Sequence, residues 1–434
     1  MARFLSSVVC AVLLSTLAAT APAPASTIAS ADVAAPTLAY ASDEANGMTW
    51  QIGTDEDVQP IRGSLGASIL GPQNTALDQQ NPDLLAPPTT DHGTVGSAKW
   101  PMSLSKNRIQ TGGWARQQNC NHRLFFTVTS ISHLLFPAAV MPIATSMAGV
   151  NMRLEAGAIR EMHWHKTAEW AYILSGYTQI TAINPDGQNF LATLGPGDLW
   201  YFPPGVPHSL QATNQSADGT EFLLVFPDGD FSEDSTFLLT DWTAHIPKDV
   251  LAKNFQTNIT AFDKIPGSEL YIFPSESPDP NATAVEDPAG QVPSPFAYRF
   301  SQEPFTQAQG GSLKYADSSK FNVSTQIAVA EVHVAPGAMR ELHWHPTQDE
   351  WGYFIEGQAR MTIFASSSNA ITFNYQAGDV SFVPATFDKF QDISLAQWLA
   401  LTPSALVQAH LQLDDDLINN LNKTKQYIVG PKSN

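Results

Sequence analysis

Two strings in the chain share one pattern, Gly-Ala-x-Arg-Glu-x-His-Trp-His, at Gly157–His165 and again at Gly337–His345. In an extended strand alternate side chains face opposite sides, so His163 and His165 share a face and Trp164 takes the other. His343, His345 and Trp344 repeat that arrangement. Glu169 and Glu350 follow each pair by four or five residues. Imidazole nitrogens with a carboxylate oxygen suit a first-row divalent cation. After the first copy, Gly197, Pro203 and Gly205 lead to His208, and a turn followed by a strand returns that histidine beside the other three. Three neutral imidazoles and one carboxylate leave about two positions of an octahedral ion for a small anion and water or dioxygen. Arg160 is expected on a neighbouring pleat at the cavity rim, where a guanidinium pairs naturally with a carboxylate.

The second copy departs from the first. Matching Gly378 to Gly197 and Pro384 to Pro203 puts Lys389 where His208 stands. Pro203 to Phe231 has its counterpart in the much shorter Pro384 to Phe390, so about 22 residues are absent near 387. Two strands are thereby lost, and exposed sheet edges are expected. Its site keeps three candidate ligands, His343, His345 and Glu350, with Arg340 in the place of Arg160.

The surrounding texture is all-β. Short β-prone runs such as Trp170–Leu174, Gln179–Ile183 and Leu199–Phe202 alternate with turns such as Asn184-Pro-Asp-Gly187, and the rhythm returns from Gln326 to Pro384. Two β-barrel repeats are expected, over 141–255 and 326–400, the second incomplete. Residues 26–115 read as an extended arm, 256–325 as a linker and approach to the second repeat, and 401–434 as a helical tail. A short helical excursion is expected within Phe237–Phe255. The apolar block 120–139 has no counterpart in the second repeat. It reads as an alien insertion, in the manner of translated intron sequence, rather than as a strand pair, and its His122 and His133 as incidental.

Residues 1–25 have the layout of a cleavable secretory signal, with Arg3, an apolar run Val8–Leu17 and small residues after it. No later run reaches the length of a membrane span, so a secreted, extracellular product without membrane association is expected. The sequons at Asn214, Asn258, Asn281, Asn322 and Asn422 suit a glycoprotein. Cys10 lies in the signal, which leaves Cys120 alone and no intrachain disulfide. A formal charge of −19 disfavours nucleic acid and anionic membranes as partners. Acidic surroundings would relieve that charge by protonating carboxylates.

At both Arg-Glu-x-His-Trp-His strings, at Gly197-Asp-Leu-Trp-Tyr-Phe-Pro203 and at Phe231-Ser-Glu-Asp-Ser-Thr-Phe237, the chain resembles the bicupin oxalate decarboxylases, from about residue 50 onwards. Gly378-Asp379 and Gln397-Trp-Leu-Ala-Leu are also similar. The family lacks a block like 120–139 and keeps the segment missing after Phe387. The resemblance implies two jelly-roll type cupin barrels, manganese held by His163, His165, Glu169 and His208, and dioxygen as co-catalyst. Oxalate would bind at the open positions, with Arg160 polarising one carboxylate. Glu233, on a lid, would carry the proton that turns oxalate into formate and carbon dioxide. The second-copy equivalents are His343, His345, Glu350 and Arg340, a site expected to bind metal weakly. Trimers or hexamers are implied, with Trp164 and Trp344 at subunit contacts. An oxalate oxidase releasing hydrogen peroxide and a non-catalytic storage or binding bicupin are the rival readings; Glu233 and the four-ligand set weigh against them.

Overall fold

The computed structural model describes residues 60–62, 65–120, 140–345, 348–384 and 393–431. The signal-like segment 1–25, most of the block 120–139, and Lys389 lie outside them. The described chain opens with the hairpin β1 (Ile61–Arg62) and β2 (Leu65–Gly66), helices α1 (Thr75–Gln80) and α2 (Pro82–Leu85), and strands β3 (Lys99–Pro101), β4 (Asn107–Gln110) and β5 (Gly113–Gln118). The first repeat supplies β6 (Ala148–Leu154), β7 (Ile159–Trp164), β8 (Glu169–Ser175), β9 (Thr178–Ile183), β10 (Asn189–Leu194), β11 (Leu199–Phe202), β12 (His208–Ala212), β13 (Thr220–Phe226) and β14 (Phe237–Leu238). Helices α3 (Leu239–Ala244) and α4 (Lys248–Phe255) and strands β15 (Ile272–Phe273), β16 (Ala297–Tyr298), β17 (Thr306–Ala308) and β18 (Gly311–Ala316) come next. The second repeat contributes β19 (Val329–Val334), β20 (Met339–Arg340), β21 (His343–Trp344), β22 (Glu350–Tyr353), β23 (Gln358–Ser366), β24 (Asn369–Gln376), β25 (Asp379–Val383) and β26 (Ile393–Ser394). Helices α5 (Leu395–Ala400), α6 (Ser404–Leu411) and α7 (Asp415–Asn419) and strand β27 (Ile428–Val429) close it.

The first barrel is two antiparallel sheets, ordered β16-β11-β8-β13-β6-β5-β4 and β10-β9-β12-β7-β14, with β15 also on β7. Their inner faces bury Val150, Ile173, Trp200, Phe202, Leu210 and Phe222. Each such side chain removed from water stabilises the fold by about 1.5–3 kcal/mol. The turns are set by residues that tolerate positive φ. Gly176 sits at φ 72, and a Cβ there would meet the Gly219 carbonyl oxygen at 1.9 Å, so only glycine lets β8 turn into β9.

Strand exchange joins the repeats. β16, which precedes the second repeat, pairs with β11 of the first, while β3, which precedes the first, pairs with β25 of the second. Matching ion pairs fasten these exchanges, Arg299 to Asp198 at 2.7 Å and Lys99 to Asp379 at 3.1 Å. A shared core of Trp170, Tyr201, Phe300, Phe321 and Trp351 lies between the barrels. The ends of the expected arm and linker are therefore sheet strands: β3, β4 and the start of β5 fall inside 26–115, and β15 to β18 inside 256–325. The tail 401–434 is not one helix, since Gln412 at φ 53 ends α6 and β27 then pairs with β20.

In the first barrel β13 fills the gap between β6 and β8, and β12 the gap between β7 and β9. Among the described residues the second repeat has no equivalent of either strand. There β19 ends its sheet, β22 pairs only with β25, and β23 pairs with β24. The consequence shows in burial: Ala148–Leu154 is almost wholly buried, whereas Val329–Val334 is half-buried or exposed along its length. The edge left open is the one the missing residues would cover.

Residues 119–147 connect β5 to β6, against 317–328 between the equivalent β18 and β19. Around the block, Met141 N–H donates to the Asn119 carbonyl at 3.2 Å. A chain lacking 121–139, rejoined by a short Gly-Ser link, is expected to melt within about 5 °C of the parent, because loop length enters stability only logarithmically. Circular dichroism melts check this, and loss of the folded transition would contradict it.

Candidate metal centre

His163, His165, Glu169 and His208 come together inside the first barrel, all buried, with their ligand atoms within 4.8 Å of one another. Register explains the convergence. His208 on β12 lies directly opposite His163 on β7, and Glu169 begins β8 opposite Phe202 on β11. Each imidazole is oriented from behind by a main-chain carbonyl: His163 Nδ1 with Glu161 at 2.6 Å, His165 Nδ1 with Thr167 at 2.7 Å, and His208 Nδ1 with Val206 at 2.8 Å. A carbonyl can only accept, so the proton sits on each Nδ1 and the Nε2 lone pairs face inward. Phe202 stacks on the His208 ring at 4.2 Å. Trp200 Nε1 donates to Glu169 Oε1 at 2.9 Å, which leaves Oε2 for the centre.

The donor set fits a metal ion. His208 Nε2 is 3.4 Å from Glu169 Oε2 yet lacks the geometry of a hydrogen bond, and no other described residue satisfies it. Buried polar atoms are normally partnered. Ligand bonds of about 2.0–2.2 Å would bring such donors to one ion. Burial first, then the charge of Arg160, holds His163 well below its ordinary value of 6.5. For Glu169, burial opposes ionisation, but His208 and His165 outweigh it and hold the carboxyl well below 4.5.

In the metal-free protein these shifts predict acid sensitivity. Below pH 6.5 the unfolded chain protonates His163 and the folded chain does not, so stability falls as pH drops from there towards the lowered value, by about 1.4 kcal/mol per unit for that group. Glu169 adds its loss at lower pH, from its ordinary value of 4.5 down towards its own depressed value. Urea midpoints measured on metal-free protein from pH 7 to 5 should decline. A flat profile would contradict the assignment.

Arg160 is not at the rim; it is 1% exposed. The reason is a β-bulge: Leu210 pairs with Arg160 while His208 pairs with His163, two steps on β12 against three on β7. The extra residue shifts the alternation, so Arg160 and His163 face the same way despite odd spacing. Its Nη2 donates to Glu233 Oε2 at 2.9 Å, whereas Nε and Nη1 are buried without a partner among the described residues. Glu233, in the short turn after Ser232, is also buried. Tyr271 donates its hydroxyl to the same Oε2 at 3.0 Å, and Gln117 Oε1 accepts from Glu233 N–H at 3.0 Å.

Sequence reasoning gave no role to Tyr271 or Glu161. The Glu161 carboxylate accepts from the N–H groups of Thr240 at 2.7 Å, Leu270 at 2.9 Å and Tyr271 at 2.8 Å. It thereby pins Tyr271 in a left-handed conformation, φ 58, unfavourable for a bulky residue. The repetition of Glu161 and Glu341 within the two strings was the available signal. Nothing local marks an isolated tyrosine.

The second cluster brings together His343, His345 and Glu350, half-buried. Glu350 is 42% exposed at its side chain and His345 Nε2 lies 3.5 Å from it. Arg340 takes another place than Arg160 does: Nη1 donates to the Tyr427 carbonyl at 2.8 Å and Nη2 lies 3.3 Å from His343 Nε2, against the nitrogen a metal would need.

Residues 116–261 and 298–392 match the sequence profile of the cupin family. The chain is 47% identical over 395 residues to the Bacillus subtilis protein named oxalate decarboxylase OxdC, covering 86% of this chain and 97% of that one. The chain belongs to the cupin family, among its bicupin oxalate decarboxylases. A probable oxalate decarboxylase of Arthroderma benhamiae is 40% identical over 400 residues, 86% of this chain and 93% of its own length. A solved structure of the B. subtilis enzyme, from work on its Mn(II) centres, superposes with a TM-score of 0.78 at 46% identity, covering 87% of this chain and 100% of that one. The bicupin architecture set out above agrees with that structure.

Proposed function

We propose that the first barrel decarboxylates oxalate to formate and carbon dioxide at a manganese ion. The observation that carries the reading is the juxtaposition of a complete, buried three-histidine, one-carboxylate cluster with a buried arginine and a buried glutamate. His163, His165, Glu169 and His208 would hold the ion, and Arg340 and the half-buried second cluster would contribute little. When bound, manganese supplies a Lewis-acidic, redox-capable centre, with dioxygen as its co-catalyst. The rest is done by this chain. The two unpartnered nitrogens of Arg160 bind one carboxylate of the substrate and fix its orientation. Glu233 accepts the proton of the oxalate monoanion; after the carbon–carbon bond breaks and carbon dioxide leaves, it returns that proton to carbon. Hydrogen oxalate thus becomes formate plus carbon dioxide with atoms and charge balanced. Phe226 and Phe231, stacked at 3.5 Å beside His165, exclude water from the site.

The decisive assay gives purified, manganese-loaded protein oxalate at acid pH and quantifies formate against hydrogen peroxide. Formate near one per oxalate consumed is expected. Peroxide as the main product would overturn the reading in favour of an oxidase.

Association of copies and export belong to the same proposal. Met162, Phe237 and Trp242 around Trp164, and Leu342 and Trp398 around Trp344, form exposed apolar patches on the two repeats, suited to contacts between copies in a trimer or hexamer. All five sequon asparagines are exposed, as a glycosylated, secreted product requires. Among the described residues no helix is long and apolar enough to cross a membrane.

A further inference from the structure

Arg108, on β4, plays no part in the reading above, yet it touches three parts of the site's roof. Its Nη1 lies 3.2 Å from Asp234 Oδ1, on the residue next to Glu233. Its Nη2 pairs with Glu269, two residues before Tyr271. Its guanidinium carbon stands 3.6 Å from the centre of the Tyr271 ring, and that of Arg160 stands 4.2 Å from the same centre. One side chain from the strand before the first repeat therefore gathers the turn bearing Glu233, the tyrosine that grips Glu233, and the segment carrying that tyrosine.

We propose that Arg108 is the latch of the 231–237 lid, a positioning residue that keeps Glu233 over the site and so sets the share of bound oxalate that leaves as formate. The inference rests on the function proposed above. The inward grip on Glu233 comes from Arg160 and Tyr271, and a substrate carboxylate arriving at Arg160 competes with the first of these. The outward grip, Arg108 to Asp234, involves no atom the substrate needs, so it persists when the site is filled. Arg108 is 26% exposed at its side chain and Asp234 is 70% exposed, so the pair is partly screened by solvent. Pairs of this kind shift an equilibrium by roughly two- to five-fold, weaken in salt, and are reinforced here by the stacking on Tyr271.

The test uses the full-length, manganese-loaded protein with Asp234→Asn, Asp234→Glu and Arg108→Gln. Hydrogen exchange across 231–237 is measured with and without oxalate, beside the formate-to-peroxide ratio. Asp234→Asn should speed exchange about two- to five-fold, and Arg108→Gln, which also loses the stacking, about ten-fold. Asp234→Glu should behave as the parent. Raised salt should speed exchange in the parent and leave Asp234→Asn unmoved. The formate share should fall in the same order at nearly constant KM. Unchanged exchange in Asp234→Asn at parental manganese content overturns the latch, and because that side chain is exposed the variant decides even if Arg108→Gln fails to fold. A parent that makes no formate overturns the proposed function instead, while the exchange data still read the latch.

Discussion

Replacing Glu233 by Gln should lower formate production by about 10²- to 10⁴-fold, the usual worth of a positioned acid-base group, with manganese content unchanged. The expectation follows from the geometry on both sides. Glu233 is buried and touches Arg160, the group that would hold substrate, so removing its charge removes the group proposed as proton carrier. It belongs to neither metal cluster, so the ligand set stays whole. Formate and peroxide quantified together, with metal content on the same sample, give the answer. Turnover to formate at the parental rate would remove the role assigned to Glu233.

A second large effect is expected at His208. Its Nε2 is a buried nitrogen with no hydrogen-bond partner among the described residues, and its ring is locked by Phe202 and the Val206 carbonyl. His208→Ala removes one of four donors and opens a space behind Phe202. Metal occupancy of the first barrel should fall to near zero under dialysis, and decarboxylation with it. The second cluster already shows what three ligands look like here: half-buried, with a guanidinium against one nitrogen.

The sequence carried the four ligands because their spacing is local: two histidines on one strand face, a glutamate a few residues on, and a histidine after a Gly and Pro turn. It also carried the barrel rhythm and the shortfall in the second repeat, since a missing strand is visible as missing chain. The position of Arg160 was not legible, because the bulge that turns it inward depends on the register of β7 against β12, which no local pattern encodes. Strand exchange through β3 and β16 was hidden for a similar reason. Two- and three-residue strands have no periodicity, and their partners lie in the other repeat. Tyr271 owes its place to long-range hydrogen bonds that its own N–H and that of Leu270 donate to Glu161, far away in the chain. The Asp198 and Asp379 carboxylates, by contrast, sit in repeated Gly-Asp turns, and their ion pairs to Arg299 and Lys99 show what that repetition was for.

Metal stoichiometry tests the claim that one complete site does the work. Manganese counted per chain in the parent and in His208→Ala should read close to one and close to zero. A parent value near two, or retention of metal in His208→Ala, would contradict it.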